Sequence, residues 1–590
     1  MKNFFKQVSA TVVGMFVFFV IIGIIGMMSI VGMISSTQAT QNVSDNSVLV
    51  LNLSGTINEQ GKDNPWRELM GNQAGETGLN DIVAAIKKAK DNDRIKGIYI
   101  EAGIFSAGYA TLQELRNTLA DFKRSKKWIV SYADSYTQGA YYVASVADKV
   151  YINPKGMLDW HGLAAQPQFL KDLYAKVGVK YQVVKVGTFK SFTETYTEDK
   201  MSDANRQQVT AYINGIWTNI CKDVSDSRKV STDSLNAYAD RLITFEPTEN
   251  LKKYKLVDEL LYTDQLKAEI RKMLKIDQDK HINQVGVAEM RNVKGEKKKG
   301  DRIAIYYASG GIVQSSMASP FSSSGQIVAD AVCKDLEDLA KDDEVKAVVI
   351  RINSGGGDAY ASEQIWHSVC NLKAKKPVVV SMGDVAASGA YYMSCPANWI
   401  VAQPNTLTGS IGIFAAIPDL SGLVTQKLGV KFDEVKTNRN SGFGNVMARP
   451  FNDEELAYLQ SNVNRGYELF RKRVADGRKQ KEEDIEKIAQ GRVWIGNDAI
   501  GIKLVDQLGG LDDAVAKAAK LAKIKEYKTV DYPAPADWMD TLLSEMDGGN
   551  YLDEQLRQTL GEYYEPFVSI RKMDQQHALQ ARLPFVVNLK

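Results

Sequence analysis

Two residues in this chain have neighbours suited to nucleophilic chemistry. Ser388 lies in Ala386-Ala387-Ser388-Gly389-Ala390, between the apolar run from Val378 to Val380 and a further apolar stretch that reads as helix. A serine at a helix start faces unpaired backbone N–H groups and the positive end of the helix dipole, a ready-made anion site. Such a serine can be a nucleophile or a plain helix cap, and these residues alone leave both readings open. Asn353-Ser354-Gly355-Gly356-Gly357-Asp358 follows a second apolar run. Successive glycines let backbone N–H groups approach a substrate oxygen, as in an oxyanion hole, and they also make tight turns.

A nucleophilic serine needs a base, and histidine is the usual one. The four histidines are His161, His281, His367 and His577, and none has a recognisable acid partner in the sequence. A lysine serves if burial lowers its pKa enough for the neutral amine to be populated. Lys190, in Val186-Gly187-Thr188-Phe189-Lys190-Ser191-Phe192, is flanked by apolar and small residues just before a long helical segment.

The elements that must position these groups come from an internal duplication. Strands are expected at Val48–Leu53, Lys96–Ile100 (KGIYI) and Trp128–Ser131, with a helix over Tyr109–Phe122; alternating strands and helices predict an α/β fold. Ser381, Gly389, Tyr392 and Pro404 each lie 250 positions after Ser131, Gly139, Tyr142 and Pro154, and Lys346–Ile350 (KAVVI) follows Lys96–Ile100 at the same offset. Fixed-period self-similarity is the signature of repeated units. Helical regions are expected at Asp203–Val224 and Asp453–Ala475.

The differences between the copies point to function, because a purely structural device would persist in both. At the 250-residue offset Ser388 answers to Gln138, and Lys190 answers to Asn440. One half lacks the serine and the other lacks the lysine, as a single site divided between two repeats would.

Composition sets the surroundings. With 590 residues, 44% hydrophobic and 24% charged, the chain is globular and multi-domain, and its net charge of +2 argues against a nucleic-acid partner. Ala10 to Ile34 contains no charged residue. Twenty-five helical residues at about 1.5 Å each exceed a hydrocarbon core of roughly 30 Å, so a membrane span is expected, with Lys2 and Lys6 keeping the N-terminus cytoplasmic. A cleaved signal peptide is the competing reading, but its apolar core would be about 7–15 residues. The expected layout is a cytoplasmic N-terminus at 1–9, a transmembrane helix at 10–34, a spacer at 35–46, one repeat domain at 47–299, a second at 300–545 and a C-terminal extension at 546–590. Cys221, Cys333, Cys370 and Cys395 show no metal-ligand spacing, and the sequence does not pair them.

Four motifs together are specific: Ala387-Ser388-Gly389, Thr408-Gly409-Ser410-Ile411-Gly412, the NSGGG loop from Asn353, and Val186 to Ser191. With them the chain resembles, over nearly its whole length, the long duplicated form of signal peptide peptidase A, a family of bacterial membrane-anchored serine proteases. The resemblance implies tandem Clp-protease/crotonase-like domains and a Ser–Lys dyad, with Ser388 as nucleophile, Lys190 as general base and Ser410 orienting the amine. It implies the backbone N–H groups of Gly356 and Gly389 as oxyanion donors and no cofactor or metal. It also implies a homotetramer anchored in the bacterial inner membrane, with its catalytic domains on the periplasmic side, that degrades remnant signal peptides and other apolar peptides. Where many members have Ser-Pro-Gly-Gly-Ser, this chain has Ser354-Gly355-Gly356-Gly357-Asp358. A non-catalytic peptide-binding scaffold would lack Ser388 or Lys190, and a crotonase-type acyl-CoA enzyme would work in the cytoplasm.

Overall fold

Apolar runs such as KGIYI and KAVVI are buried on both faces, which is the pattern of strands in a covered parallel sheet. In the computed structural model the described residues are 42–61, 77–293, 300–315, 325–533 and 580–582, with positions 14, 15, 18 and 21 besides. The first sheet runs in the order Thr77–Gly78, Ser47–Asn58, Ile95–Ser106, Trp128–Ala133, Lys149–Ile152, Glu259–Leu260, and Gln284–Gly286 also pairs with Ser47–Asn58. All of its pairings are parallel.

A second large sheet repeats this plan. Its order is Val493–Ile495, Leu407–Gly409, Val378–Ala387, Val345–Ser354, Asp301–Ser309, Tyr527–Tyr532, with Trp399–Ala402 joining Val378–Ala387 and Gln507–Leu508 joining Trp399–Ala402. Parallel neighbours need crossover connections, and the helices Tyr109–Phe122 and Ala359–Lys375 supply them in the two halves. The helices Asp203–Arg228 and Asp453–Arg478 have both ends at the 250-residue offset.

The halves interlock in a third, smaller sheet, ordered Gln326–Val328, Gly311–Val313, Gly356–Asp358, Gln580–Arg582, Ile413–Asp419, Lys180–Val186. Here Lys180–Val186 leaves its own repeat and pairs antiparallel along the whole of Ile413–Asp419. That crossing carries the Lys190 loop into the second half. The core under the first sheet also takes in Ala387, Leu407, Val493 and Ile495 from the second repeat.

Polar groups tie the halves as well. Arg351 is buried between two carboxylates of the first repeat, with Nε at 2.7 Å from Glu59 Oε2 and Nη2 at 2.7 Å from Glu114 Oε2. Asp384 reaches across to the start of the helix Tyr109–Phe122, where Oδ1 accepts the N–H groups of Ala110 and Thr111, each at 2.9 Å.

The span expected at 10–34 and the extension at 546–590 lie outside the described residues, apart from the isolated positions 14, 15, 18 and 21 and the strand Gln580–Arg582. Among the described residues no helix is long and apolar enough to cross a membrane. The four cysteines are free thiols, Cys221 and Cys395 buried and the other two partly so.

Candidate active site

Ser388 stands where the strand Val378–Ala387 ends and the helix Gly389–Ser394 begins. Its backbone is at φ 56° and ψ −117°, a region that side-chain-bearing residues avoid and that costs of order 1–3 kcal/mol. The N–H of Ser388 donates to Gly409 O at 2.8 Å and its carbonyl accepts from Tyr392 N at 2.8 Å, so both neighbouring elements hold the strained residue in place. Its side chain makes no capping bond. The hydroxyl is left for another partner.

That partner is Lys190. Its Nζ lies 2.7 Å from Ser388 Oγ, 3.0 Å from Ser410 Oγ and 3.1 Å from Ser410 O. All three residues are fully buried, and burial pushes the Lys190 amine well below the usual lysine range. Among the described residues no carboxylate is bonded to the amine to offset that. A neutral amine has two N–H donors and one lone pair, which matches the three contacts: the two oxygens of Ser410 accept, and the lone pair faces the Ser388 hydroxyl.

The aliphatic stem of Lys190 threads a slot that only glycines leave open. A Cβ on Gly491, at φ +77°, would sit 2.7 Å from Lys190 Cβ, and one on Gly412 would sit 3.3 Å from Lys190 Cδ. Opposite, Gly187 at φ +109° lets its loop lie against the backbone of Gln490, whose carbonyl accepts Phe189 N at 2.8 Å.

The strand Gly356–Asp358 packs beside the helix that Ser388 starts. Gly356 adopts φ +94°, and its N–H donates to Ser354 Oγ at 3.1 Å. Gly389 is the first residue of its helix, so its N–H has no acceptor within that helix. Asp358 is spent as the cap of Ala359–Lys375, accepting Ala361 N at 2.7 Å. The chain's own Gln580–Arg582 lies antiparallel to Gly356–Asp358 and touches Ile413–Asp419 on its other side, so the groove beside Gly356 accepts an extended backbone.

In the first repeat the matching junction is closed. Gln138 donates Nε2 to Gly162 O and Tyr109 Oη, and its Oε1 accepts His161 N and Gly162 N. Trp160, fully buried, stands where the second repeat has Ser410, and Asn440, the counterpart of Lys190, is exposed. Among the described residues no histidine bonds to Ser388 or Lys190. His161 does have an acid partner, Asp159 Oδ1 at 2.7 Å, which the sequence did not disclose, but that pair is half-exposed in the first repeat. His367 lies in the helix Ala359–Lys375.

The groups that hold the lysine loop, Gly491, Gln490 and Gln208, carry no sequence motif; only a comparison of position 208 with position 458 draws attention to the last.

The family model for peptidase family S49 matches residues 121–277 and 371–525. This chain belongs to peptidase family S49. The first matched span contains Lys190 and the second contains Ser388 and Ser410. Protease 4 of Salmonella typhi is 35% identical over 516 residues, covering 85% of this chain and 82% of that protein. Protease 4 of Haemophilus influenzae is 31% identical over 548 residues, covering 88% and 87%. The chloroplastic serine protease SPPA of Arabidopsis thaliana is 31% identical over 512 residues, covering 85% and 74%. A solved ClpP1 chain of Listeria monocytogenes covers 36% of this chain and 94% of its own length at 18% identity, with a TM-score of 0.23, too slight a likeness to bear on the fold. The S49 chain described here is a serine protease with two repeats.

Proposed function

We propose that this protease is a membrane-anchored endopeptidase that degrades remnant signal peptides after their release from exported preproteins, with Ser388 as nucleophile and Lys190 as general base. The observation that carries the chemistry is the 2.7 Å approach of Lys190 Nζ to Ser388 Oγ in a buried setting without a carboxylate.

As Ser388 Oγ bonds to the scissile carbonyl carbon, its proton passes to Lys190 Nζ, which the two Ser410 oxygens hold in line. The carbonyl oxygen becomes an oxyanion facing Gly389 N–H and Gly356 N–H, the latter turning from Ser354 Oγ to the substrate. A single such donor is worth about 3 kcal/mol in the transition state. Collapse breaks the C–N bond, and the leaving amine takes the proton from Lys190. Water then adds to the acyl-enzyme, giving a proton to Lys190 that returns to Ser388 as the acid departs.

The substrate runs as an extended strand in the groove that Gln580–Arg582 marks, pairing its backbone with Gly356–Asp358. Backbone pairing suits an enzyme that must take many apolar peptides. The uncharged segment 10–34 would tether two Clp-like units, divided near residue 300, to the periplasmic face of the inner membrane, where spent signal peptides are left.

The assembly proposed is a homotetramer, and the crossing strand supports a contact that repeats from copy to copy. Lys180–Val186 of the first repeat pairs with Ile413–Asp419 of the second, whereas the equivalent segment of the second repeat, 430–436, is exposed and its equivalent acceptor, 163–169, forms no strand. Val430, Phe432 and Val435 stand exposed there, Val435 at 98%. Docking 430–436 onto 163–169 of the next copy would repeat the internal contact head to tail, the kind of contact from which a closed ring is built.

The test is turnover of a fluorogenic peptide ester and of an isolated signal peptide, with labelling by a serine-reactive phosphonate. Wild type is expected to label at Ser388 and to cut the signal peptide, while Ser388→Ala and Lys190→Ala turn over neither substrate. Full activity in Lys190→Ala would exclude the lysine as base, and ester turnover without signal-peptide cleavage would exclude the substrate class.

A further inference from the structure

Gln208 lies on the helix Asp203–Arg228, wholly buried. Its Nε2 donates to Phe189 O at 3.0 Å and to Ser191 Oγ at 3.1 Å, the residues on either side of Lys190. Its Oε1 accepts Val493 N at 3.2 Å, across the boundary between the repeats. Val493 in turn pairs with Gly409, and Arg492 O accepts Ser410 N at 2.7 Å. One amide therefore holds the loop that carries the lysine against the strand that leads into the serine orienting it.

The amide is itself held from behind. Asn205 Oδ1 accepts from Gln208 Nε2 at 3.2 Å, and Asn205 Nδ2 donates to Glu194 Oε2 at 2.9 Å. Glu194 is buried and also accepts Ser202 N and Ser202 Oγ. A buried polar network of this kind has few alternative arrangements, so it fixes a position sharply.

The second repeat shows what the fold requires at this position. The equivalent helix, Asp453–Arg478, has the same length and register, and Tyr458 occupies the matching place, 54% exposed and bonded only to Glu454 Oε1. The helix forms without a buried amide there. Gln208 is needed by something that the second repeat lacks, and what it lacks is the lysine loop.

We propose that Gln208 is a positioning residue for the hydrolysis, registering the Lys190 loop of one repeat against the Val493–Ser410 path of the other so that the amine meets Ser388. This rests on the Ser–Lys reading above. Charged groups beside the Lys190 loop include Glu194, occupied as described, and Arg492, whose guanidinium lies over Trp494 at 4.1 Å and Phe189 at 5.2 Å. The low basicity of the amine comes from burial, so a loop that slackens towards water raises it.

The experiment measures kcat, KM and the pH profile of ester hydrolysis per phosphonate-titrated site in Gln208→Leu and Asn205→Ala, with Tyr458→Leu as control and Ser388→Ala and Lys190→Ala alongside. A displacement of about 1 Å in a reacting group costs up to about 100-fold in rate. Gln208→Leu is expected to lose about 10- to 100-fold in kcat with little change in KM, and its rate–pH midpoint should move to higher pH. Asn205→Ala should show the same shift more weakly, and Tyr458→Leu none. A purely structural role would lower the thermal midpoint and the titrated fraction while leaving per-site kcat and the pH midpoint as in wild type, and that result in both variants overturns the proposal. If Gln208→Leu yields no folded protein, Asn205→Ala decides by the same criterion. Should Lys190→Ala retain activity, the Ser–Lys reading fails, whatever the Gln208 variants do.

Discussion

Gln138 and Ser388 occupy equivalent junctions of the two repeats, but the Gln138 side chain is saturated by Gly162, His161 and Tyr109, whereas the Ser388 hydroxyl has Lys190 Nζ at 2.7 Å. The first junction is filled and the second is left open for reaction. The Ser388 backbone is strained, while its counterpart cap in the first repeat, Thr137, has an ordinary φ of −70° and caps Ala140 N.

That strain is measurable. Ser388→Ala and Ser388→Gly both remove the hydroxyl, but only glycine adopts φ 56° and ψ −117° without penalty. The glycine variant is expected to be more stable than the alanine variant by about 1–2 kcal/mol in urea unfolding, against the usual preference for alanine. Equal stabilities would mean that the backbone stores nothing there.

Lys190 should destabilise the fold at neutral pH. Its pKa is lowered in the folded state, so between that lowered value and about 10.4 the unfolded chain binds the extra proton. Stability then rises with pH across that window. Lys190→Met is expected to be more stable than wild type at pH 7, and the gain should shrink as pH approaches the unfolded lysine value. On the Ser–Lys reading, in which the neutral amine is the base, activity should climb with pH in the same sense. A gain that does not vary with pH would show the amine to be charged in the folded protein.

Gly491→Ala puts a methyl group 2.7 Å from Lys190 Cβ at a residue with φ +77°. The lysine must move, so kcat is expected to fall by about 100-fold with KM nearly unchanged in steady-state ester assays. Loss of KM alone would place the disturbance in the peptide groove instead.

Arg351→Met leaves Glu59 and Glu114 buried without a counter-charge, and about 3–5 kcal/mol of stability should be lost. The triple variant with Glu59→Gln and Glu114→Gln should recover most of it in chemical denaturation. Failure to recover would mean that the guanidinium holds the halves together by shape more than by charge.

Phe432→Asp introduces charge into the exposed segment proposed to pair with the next copy. Light scattering is expected to show mass moving from tetramer towards the single chain, with the fold intact by circular dichroism. An unchanged mass would put the contact elsewhere.

Much of this was legible as pattern. Because the repeats share one offset, subtraction alone separated Ser388 and Lys190 from their surroundings, and the helix Tyr109–Phe122 falls where its periodicity put it. What subtraction missed depends on contacts between distant segments. The first-repeat cap is Thr137, one residue before the position aligned with Ser388, because its helix begins one residue earlier. Gln208 looks like any polar helical residue until Val493, 285 positions away, is brought against it. The Gly356 N–H, expected to be free for an oxyanion, is occupied by Ser354 Oγ, a bond set by how the loop turns. The membrane span expected at 10–34 rests on the hydropathy of a 25-residue uncharged run that lies almost wholly outside the described residues.

The crossing of Lys180–Val186 into the second repeat separates Lys190 from Ser388 by 198 residues of chain. Domains fold in the order they are made, so the lysine loop emerges before its partner Ser388, which follows when most of the chain is already complete. On the Ser–Lys reading, a polypeptide that stops short of Ser388 carries only one half of the proposed site. On that reading, chain order alone keeps the protease silent until its second repeat is made.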